Sequence, residues 1–170
     1  AGFIGHNLAL ALKKQGHYPI IIDSLAVNNI FSFNATDTKN RKLYSSILNQ
    51  RLDLIHSQDI EINIEDARNY QALCLYLDRI EPDVVVQLAA VSHANLSNKD
   101  PHTTFDHSLR TLENALDFSK SPNSTVEHFV YFSSSMVYGD FKSEEVNEES
   151  ECTPVGIYGT LKYSGELIIK

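Results

Sequence analysis

Apolar residues follow two different spacings along this chain, one typical of helices and one of buried strands. Between residues 70 and 80 they recur at the i, i+3, i+4 and i+7 positions of one helix face, which predicts a helix there. The same spacing predicts further helices over His6–Gln15, Leu43–Ile55, Thr103–Ser119 and Tyr158–Ile169. Short apolar runs predict strands at Tyr18–Ile22, Ile60–Ile64, Val84–Leu88 and Val126–Phe132. Strands that alternate with helices predict an α/β fold, a parallel sheet with helices on both faces.

The same pattern predicts which side chains face the core. In the first helix we expect Ile4, Leu8 and Leu12 to share the inward face, and Gly16 to cap the end. In the helix that begins near Pro101, the inward residues are expected to be Phe105, Leu109, Leu112 and Leu116. Cys74 lies in the apolar stripe of its helix, so we expect a core residue and not a nucleophile. Residues 24–42 are mostly polar and predict a loop.

Composition narrows the class of protein. A chain of 170 residues with 42% hydrophobic content can form one domain with a sizeable core. The two cysteines are too few for a disulfide framework, so we expect a reducing cytoplasm. A net charge of −8 and the lack of a long apolar run argue against nucleic acid and membrane as partners, although a small anionic ligand held by backbone amides remains compatible. The chain starts without a Met or a first strand and ends inside a predicted helix, so we expect a piece of a longer protein.

Candidate ligand-binding residues fall where the predicted strands end. The glycines of Gly2-Phe3-Ile4-Gly5 stand at the start of a helix, where backbone N–H groups can bind a phosphate. Asp23 ends the next strand, and an acid there accepts hydrogen bonds from ribose hydroxyls and repels a 2′-phosphate, which favours NAD over NADP. The pair Ala89-Ala90 and the run Ser133-Ser134-Ser135 end the later strands. Since ligands of parallel sheets bind at the carboxyl ends of the strands, these positions together predict a dinucleotide site.

A Tyr-x-x-x-Lys pair is the candidate for proton transfer. Tyr158 and Lys162 lie one turn apart on a predicted helix, and the positive charge favours the phenolate and lowers the tyrosine pKa. Such a tyrosine can exchange a proton with a substrate hydroxyl. Tyr138 and Lys142 have the same spacing, but Gly139-Asp140 predicts a turn, so Lys142 has no helix on which to sit.

Two other features have simpler interpretations. The acidic segment Lys142–Glu151 is expected to be a solvated loop and not a metal site, because no His or Cys beside it has ligand spacing. His93 could face a substrate, but an ordinary loop histidine is the favoured interpretation.

These residues, taken in order, resemble the extended short-chain dehydrogenase/reductases, specifically the NAD-dependent nucleotide-sugar epimerase/dehydratase family. The matching segments span essentially the whole chain: Gly2-Phe3-Ile4-Gly5, Asp23-Ser24-Leu25, Asp66-Ala67, Leu88-Ala89-Ala90, Phe132 to Gly139, Pro154, and Tyr158-Gly159-x-x-Lys162. The resemblance implies a Rossmann-type doubly wound parallel sheet, with residues 1–170 forming a partial NAD-binding domain. The first strand and a C-terminal substrate-binding region would then lie outside this chain.

The resemblance also implies roles for these residues. Gly2, Phe3, Ile4 and Gly5 would hold the phosphates of NAD, Asp66 and Ala67 would lie beside the adenine, and Leu88, Ala89 and Ala90 would lie beside the nicotinamide ribose. Tyr158 would remove a hydroxyl proton while hydride passes to NAD, and Lys162 would bind the nicotinamide ribose. Counting back from Tyr138 assigns the catalytic serine to Ser134, with Ser135 and Ser133 as alternatives. The substrate would be a nucleotide sugar, and the full-length protein would be a homodimer that packs the helices Thr103–Ser119 and Tyr158–Ile169.

Departures from the family pattern bear on the reaction. The 4,6-dehydratases follow their catalytic Thr with Asp-Glu, whereas Ser134 is followed by Ser135-Met136, which cannot eliminate water. We therefore expect an epimerase acting at C4 through a transient keto-sugar. A 4,6-dehydratase or reductase of the same family, or an NAD-binding domain without catalytic activity, is the alternative. An Asn common in the helix after Pro101 is replaced by His107 or Ser108.

Overall fold

The structure is a computed structural model that describes residues 1–27, 29–31, 40–91 and 94–170. Its described residues form two compact units, Ala1–Asn69 and Tyr70–Lys170. His93 and much of the predicted polar loop, at residues 28 and 32–39, lie outside the described residues. Within those residues, no helix combines the length and the apolar character needed to cross a membrane.

The described residues of the N-terminal unit include two long helices and two strands. In chain order they are α1 (Phe3–Lys14), β1 (Ile20–Ile22), α2 (Arg41–Ser57) and β2 (Glu61–Asn63). The strands pair in parallel with Ile21 opposite Ile62, as the alternating pattern predicts. The core of this unit is formed by buried apolar residues of β1, of both helices and of the segments that adjoin them: Ala1, Ala9, Ile21, Leu25, Ile55 and Ile60.

Helix α1 ends as predicted but buries a different face. Gly16 has a φ of +90°, His17 N–H donates to the Leu12 carbonyl and Gly16 N–H to the Lys13 carbonyl, which is a Schellman cap. The predicted inward face is wrong at Ile4, which is 51% exposed, while Leu8 and Leu12 are half-buried. The buried residues of the helix are His6 and Ala9. Histidine and alanine occupy the positions that pack inward, so a pattern of large apolar residues does not reveal this face.

The C-terminal unit contains the remaining helices and strands. They are α3 (Tyr70–Ile80), β3 (Val84–Gln87), α4 (Ala94–Lys99), α5 (Pro101–Phe105), a π-helical turn (Asp106–Arg110), α6 (Thr111–Ser119), β4 (His128–Tyr131), a 3₁₀ turn (Ser135–Tyr138) and α7 (Gly156–Ile169). Strands β3 and β4 pair in parallel, with Gln87 opposite Tyr131. Helix α3 has the predicted bounds, and it packs against α6.

The helix predicted after Pro101 is interrupted by the π-helical turn. Leu112 and Leu116 are buried as expected, but Phe105 is 48% exposed, so its predicted inward position is wrong. A π-helical turn inserts a residue into the helical repeat and rotates the preceding segment by about 100° relative to the following one. A single 3.6-residue period therefore cannot describe both sides of the turn.

Candidate active site

The glycine turn of the N-terminal unit leaves the start of α1 open. Gly2 is the N-cap residue with extended backbone, and no described side chain caps the helix. A Cβ at Gly2 would have no atom within 4 Å, and Phe3 is 74% exposed. The N–H groups of the first turn are thus presented to solvent, which is the arrangement that binds an anion at a helix N-terminus.

Asp23 follows β1 and lies beside this turn. Its carboxylate accepts a 2.7 Å hydrogen bond from the Leu25 N–H. Arg51 donates to the Ala1 carbonyl at 3.3 Å, so α2 also holds the turn. Burial lowers the Arg51 pKa and the charge of Asp23 opposes that shift. Asp23 could be predicted from the sequence, but Arg51 could not, because its role depends on a contact 50 residues away in the chain.

Asp66 and Ala67 follow β2, the parallel neighbour of β1. Asp23 N–H donates to the Asn63 carbonyl at the end of β2, so Asp23 and the Asp66-Ala67 segment share the carboxyl edge of this sheet. The Asp66 carboxylate accepts from the Arg68 side chain through Nε at 3.0 Å and Nη2 at 2.6 Å. This fixes the turn in which Ala67 lies.

In the C-terminal unit, the segment Leu88-Ala89-Ala90 is held by buried polar side chains. The Ala89 carbonyl accepts hydrogen bonds from Gln87 Nε2 and Thr111 Oγ1, each at 3.1 Å. Gln87 and Thr111 are both buried, whereas Ala89 itself is exposed. Neither partner was predicted from the sequence, although Gln87, a polar residue directly after the β-branched run Val84–Val86, was a signal for one of them.

Helix α7 carries Tyr158 and Lys162 at the predicted spacing. The Lys162 side chain is buried, with the residue 7% exposed, and Nζ donates to the Phe132 carbonyl at 2.6 Å. The ammonium also lies over the Tyr131 ring, 5.0 Å from its centroid. Burial lowers the Lys162 pKa. The end of β4 thus fixes the lysine one helical turn from the partly exposed Tyr158.

The three serines after β4 have different surroundings. Ser133 Oγ donates a short hydrogen bond to Glu166 Oε1 on α7. Ser134 is the N-cap of the 3₁₀ turn, and its Oγ accepts from the Met136 N–H at 3.3 Å. Ser135 is exposed within the turn. These contacts leave the Ser134 hydroxyl hydrogen available to donate, which distinguishes it from Ser133.

Glycine at position 159 allows this turn to lie against α7. A Cβ on Gly159 would come within 2.6 Å of the Met136 carbonyl oxygen. Since Gly159 is adjacent to Tyr158, the close approach brings the serine-bearing turn to the tyrosine end of α7.

The second Tyr-x-x-x-Lys pair has no such arrangement. Tyr138 ends the 3₁₀ turn, Gly139 follows with a φ of +65°, and Lys142 lies beyond any helix. The Lys142 ammonium pairs with Glu151 at 2.6 Å on an exposed loop. As predicted, Lys142 does not lie on a helix.

The Cys74 side chain, predicted to be a core residue, is only half-buried, and burial raises the pKa of its thiol.

The model of the NAD dependent epimerase/dehydratase family matches residues 1–170. The chain belongs to this family. It is 32% identical over 169 residues to Protein CapI of Staphylococcus aureus, a match that covers 99% of this chain and 46% of CapI. The chain thus spans less than half the length of this relative.

Two solved structures are also similar. A UDP-glucuronic acid 4-epimerase from Bacillus cereus, in complex with UDP-glucuronic acid and NAD, is 28% identical with a TM-score of 0.72, over 98% of this chain and 48% of that one. The UDP-Glc/GlcNAc 4-epimerase of Campylobacter jejuni has a TM-score of 0.78 at 20% identity, over 99% of this chain and 45% of that one. These likenesses confirm the Rossmann-type α/β fold. The family's NAD dependence confirms the predicted cofactor class.

The residues present fit NAD. The uncapped N–H groups at Gly2 suit a pyrophosphate, the Asp23 carboxylate suits ribose hydroxyls, and the Lys162 ammonium can donate to a second ribose. Each of these donors and acceptors lies at the end of a strand or on a helix that packs against one.

Proposed function

We propose that this chain is the cofactor-binding part of an NAD-dependent epimerase that inverts C4 of a UDP-sugar. The observation that carries the proposal is the buried Lys162, held at the end of β4 one helical turn from Tyr158. Burying an ammonium is costly for folding, and its retention beside a tyrosine is what proton transfer to a sugar hydroxyl requires. The two similar solved structures named above are themselves 4-epimerases of UDP-sugars.

The chain's own residues would bind the cofactor at several points. The N–H groups of the Gly2–Gly5 turn would hold the pyrophosphate, and Asp23 would accept hydrogen bonds from the adenosine ribose. Asp66 and Ala67 would lie beside the adenine, and Leu88–Ala90 beside the nicotinamide ribose. When bound, NAD supplies a hydride acceptor that can return the hydride after the sugar turns.

The proton would be handled by α7 and the serine turn. Tyr158 as phenolate would take the proton of the C4 hydroxyl, and the positive charge of Lys162 would favour that phenolate. Ser134 would donate a hydrogen bond to the same oxygen, since its Oγ already accepts from the Met136 N–H. The resulting keto-sugar would rotate within the site so that the opposite face of its C4 carbonyl is reduced, and Tyr158 would then return the proton to the C4 oxygen.

Residues after Ser134 favour epimerisation over loss of water. A 4,6-dehydratase needs an acid and a base to remove a proton and a hydroxyl from neighbouring carbons. Ser135 and Met136 occupy those positions here, and neither side chain is an acid or a base at neutral pH.

In the full-length protein we expect a homodimer. Helices α6 and α7 would form the interface together with the preceding turns. Phe105, Leu167 and Ile168 are each about half exposed in the C-terminal unit, so they offer apolar surface for it.

The reaction can be followed with the full-length protein in deuterated water. It would be incubated with catalytic NAD and UDP-glucuronate, UDP-glucose or UDP-N-acetylglucosamine, and the products followed by NMR. A C4 epimer without deuterium on the ring is expected, because hydride returns directly. Deuterium on the ring or on a methyl carbon would indicate proton removal beside a ketone and would overturn the assignment. A parallel incubation with NADH in which NADH is consumed in proportion to product would instead indicate a reductase.

A further inference from the structure

Three consecutive residues at the end of β4 contact α7. The Tyr131 ring packs against Gly165 so closely that a Cβ there would lie 2.8 Å from the ring carbon Cε1. The Phe132 carbonyl accepts from Lys162 Nζ, and Ser133 Oγ donates to Glu166 Oε1. Each residue of the segment Tyr131–Ser133 therefore makes a contact with α7.

The next contact along the chain follows Ser134. The Met136 carbonyl lies against Gly159, and Val137 N–H donates to the Ser134 carbonyl at 3.1 Å. Ser134 and Ser135 thus lie between two attachments to α7, and Ser134 directly follows the first of them. One attachment is the hydrogen bond from Ser133 to Glu166, and the other is the packing of Met136 on Gly159.

Lys162 and Glu166 lie one helical turn apart on α7, but their charged groups have different hydrogen-bond partners. The described contacts pair the Lys162 ammonium with the Phe132 carbonyl, and the Glu166 carboxylate with Ser133. Tyr131 also borders the carboxylate: burial, then the charges of Glu166 and Tyr158, raises the pKa of Tyr131 to about 12. The contact that the Glu166 carboxylate makes is with the Ser133 hydroxyl on the segment after β4.

We propose that Glu166 is a positioning residue that acts through Ser133 to hold Ser134 in place for the reaction. The proposal rests on the function proposed above, in which Ser134 donates to the substrate oxygen. Tyr158, Lys162 and Glu166 follow one another at four-residue steps, so one helix face would carry the base, the ammonium and the residue that fixes the serine segment.

The test compares Glu166→Ala, Glu166→Gln and Ser133→Ala in the full-length protein, with Glu127→Ala as a matched control. Glu127 is an exposed glutamate that directly precedes β4, outside the helices proposed for the dimer interface. We expect Glu166→Ala and Ser133→Ala each to lower kcat about tenfold, with KM for the UDP-sugar within about twofold. Glu166→Gln keeps an acceptor oxygen and should recover kcat to within about threefold of wild type. The double variant Ser133→Ala/Glu166→Ala should be no slower than either single variant.

A second readout does not depend on turnover. Amide hydrogen exchange at Val137 and Gly139, whose N–H groups bond within the 3₁₀ turn, should accelerate about tenfold in Glu166→Ala and stay unchanged in Glu127→Ala. If wild type shows no epimerase activity, the proposed function fails, and the exchange rates alone decide the positioning role.

Two outcomes would overturn the inference. One is a Glu166→Ala variant with wild-type kcat and wild-type exchange. The other is a variant whose melting temperature falls while the folded enzyme keeps wild-type kcat, because that would mean a purely structural contact.

Discussion

Lys162 is a buried cation whose described contacts include no carboxylate. Its ammonium bonds to a neutral carbonyl and lies over an aromatic ring, and burial is what lowers its pKa. A neutral oxygen and a ring face compensate less for lost hydration than an ionised partner does. The residue is therefore held in place at a cost to folding, which is expected of a group kept for chemistry.

This cost gives a stability prediction that depends on pH. At pH values below the lowered pKa that Lys162 has in the folded protein, Lys162 is protonated in both the folded and the unfolded protein. The full free-energy cost of burying its charge then applies. Between that pKa and the unfolded value of about 10.4, the unfolded chain binds more protons, so wild-type stability rises with pH. We expect Lys162→Met to be more stable than wild type by about 1 kcal/mol at pH 7, and this advantage to shrink toward pH 10.

The measurement is urea unfolding of both proteins between pH 7 and 10. Lys142→Met is the matched control, since the Lys142 side chain is 71% exposed and should give a flat difference across this range. A Lys162→Met difference that does not change with pH would contradict the burial of a charged lysine.

At the scale of elements, α7 depends on glycine to approach its neighbours. A glycine inside a helix normally costs about 1 kcal/mol relative to alanine. At Gly159 that cost is accepted because a Cβ would collide with the Met136 carbonyl, which is backbone and cannot rotate away. The helix therefore lies close to the turn that carries Ser134.

Replacing a helical glycine by alanine normally stabilises a protein, but at Gly159 we expect the replacement to destabilise it. We expect Gly159→Ala to lower the free energy of unfolding by about 1–3 kcal/mol, because either the turn or the helix must shift. The neighbouring exposed substitution Thr160→Ala should stay within about 0.5 kcal/mol of wild type. Chemical denaturation of both variants provides the comparison, and a Gly159→Ala protein more stable than wild type would show that the two elements do not constrain each other.

Elements with one clear period could be predicted, and elements with local irregularities could not. Helix α3 has a continuous apolar stripe, and its bounds agree with the prediction. Nothing in the sequence Asp106–Arg110 marks a π-helical turn, so the phase change that exposes Phe105 was not foreseeable. Helix α1 buries His6, whose ring is satisfied by the Gly2 carbonyl, and polarity alone would assign it to the surface.

At the scale of the whole molecule, the order of short motifs predicted the family, and the family model that matches residues 1–170 confirms it. Residues that hold those motifs in place were not predictable. Arg51, Thr111 and Glu166 act through contacts with residues 22 or more positions away, and spacing along the chain carries no information about such contacts. The sequence therefore predicted candidate reacting groups better than their supports.

The most direct test of the account is a paired removal of two tyrosine hydroxyls in the full-length protein. Tyr158→Phe and Tyr138→Phe each delete one hydroxyl from a Tyr-x-x-x-Lys pair, but only Tyr158 shares α7 with its lysine. UDP-sugar epimerisation and bound NAD would be measured for both variants. We predict that Tyr158→Phe loses about a thousandfold or more in kcat while still binding NAD, and that Tyr138→Phe stays within about threefold of wild type. Retained turnover in Tyr158→Phe would contradict the account.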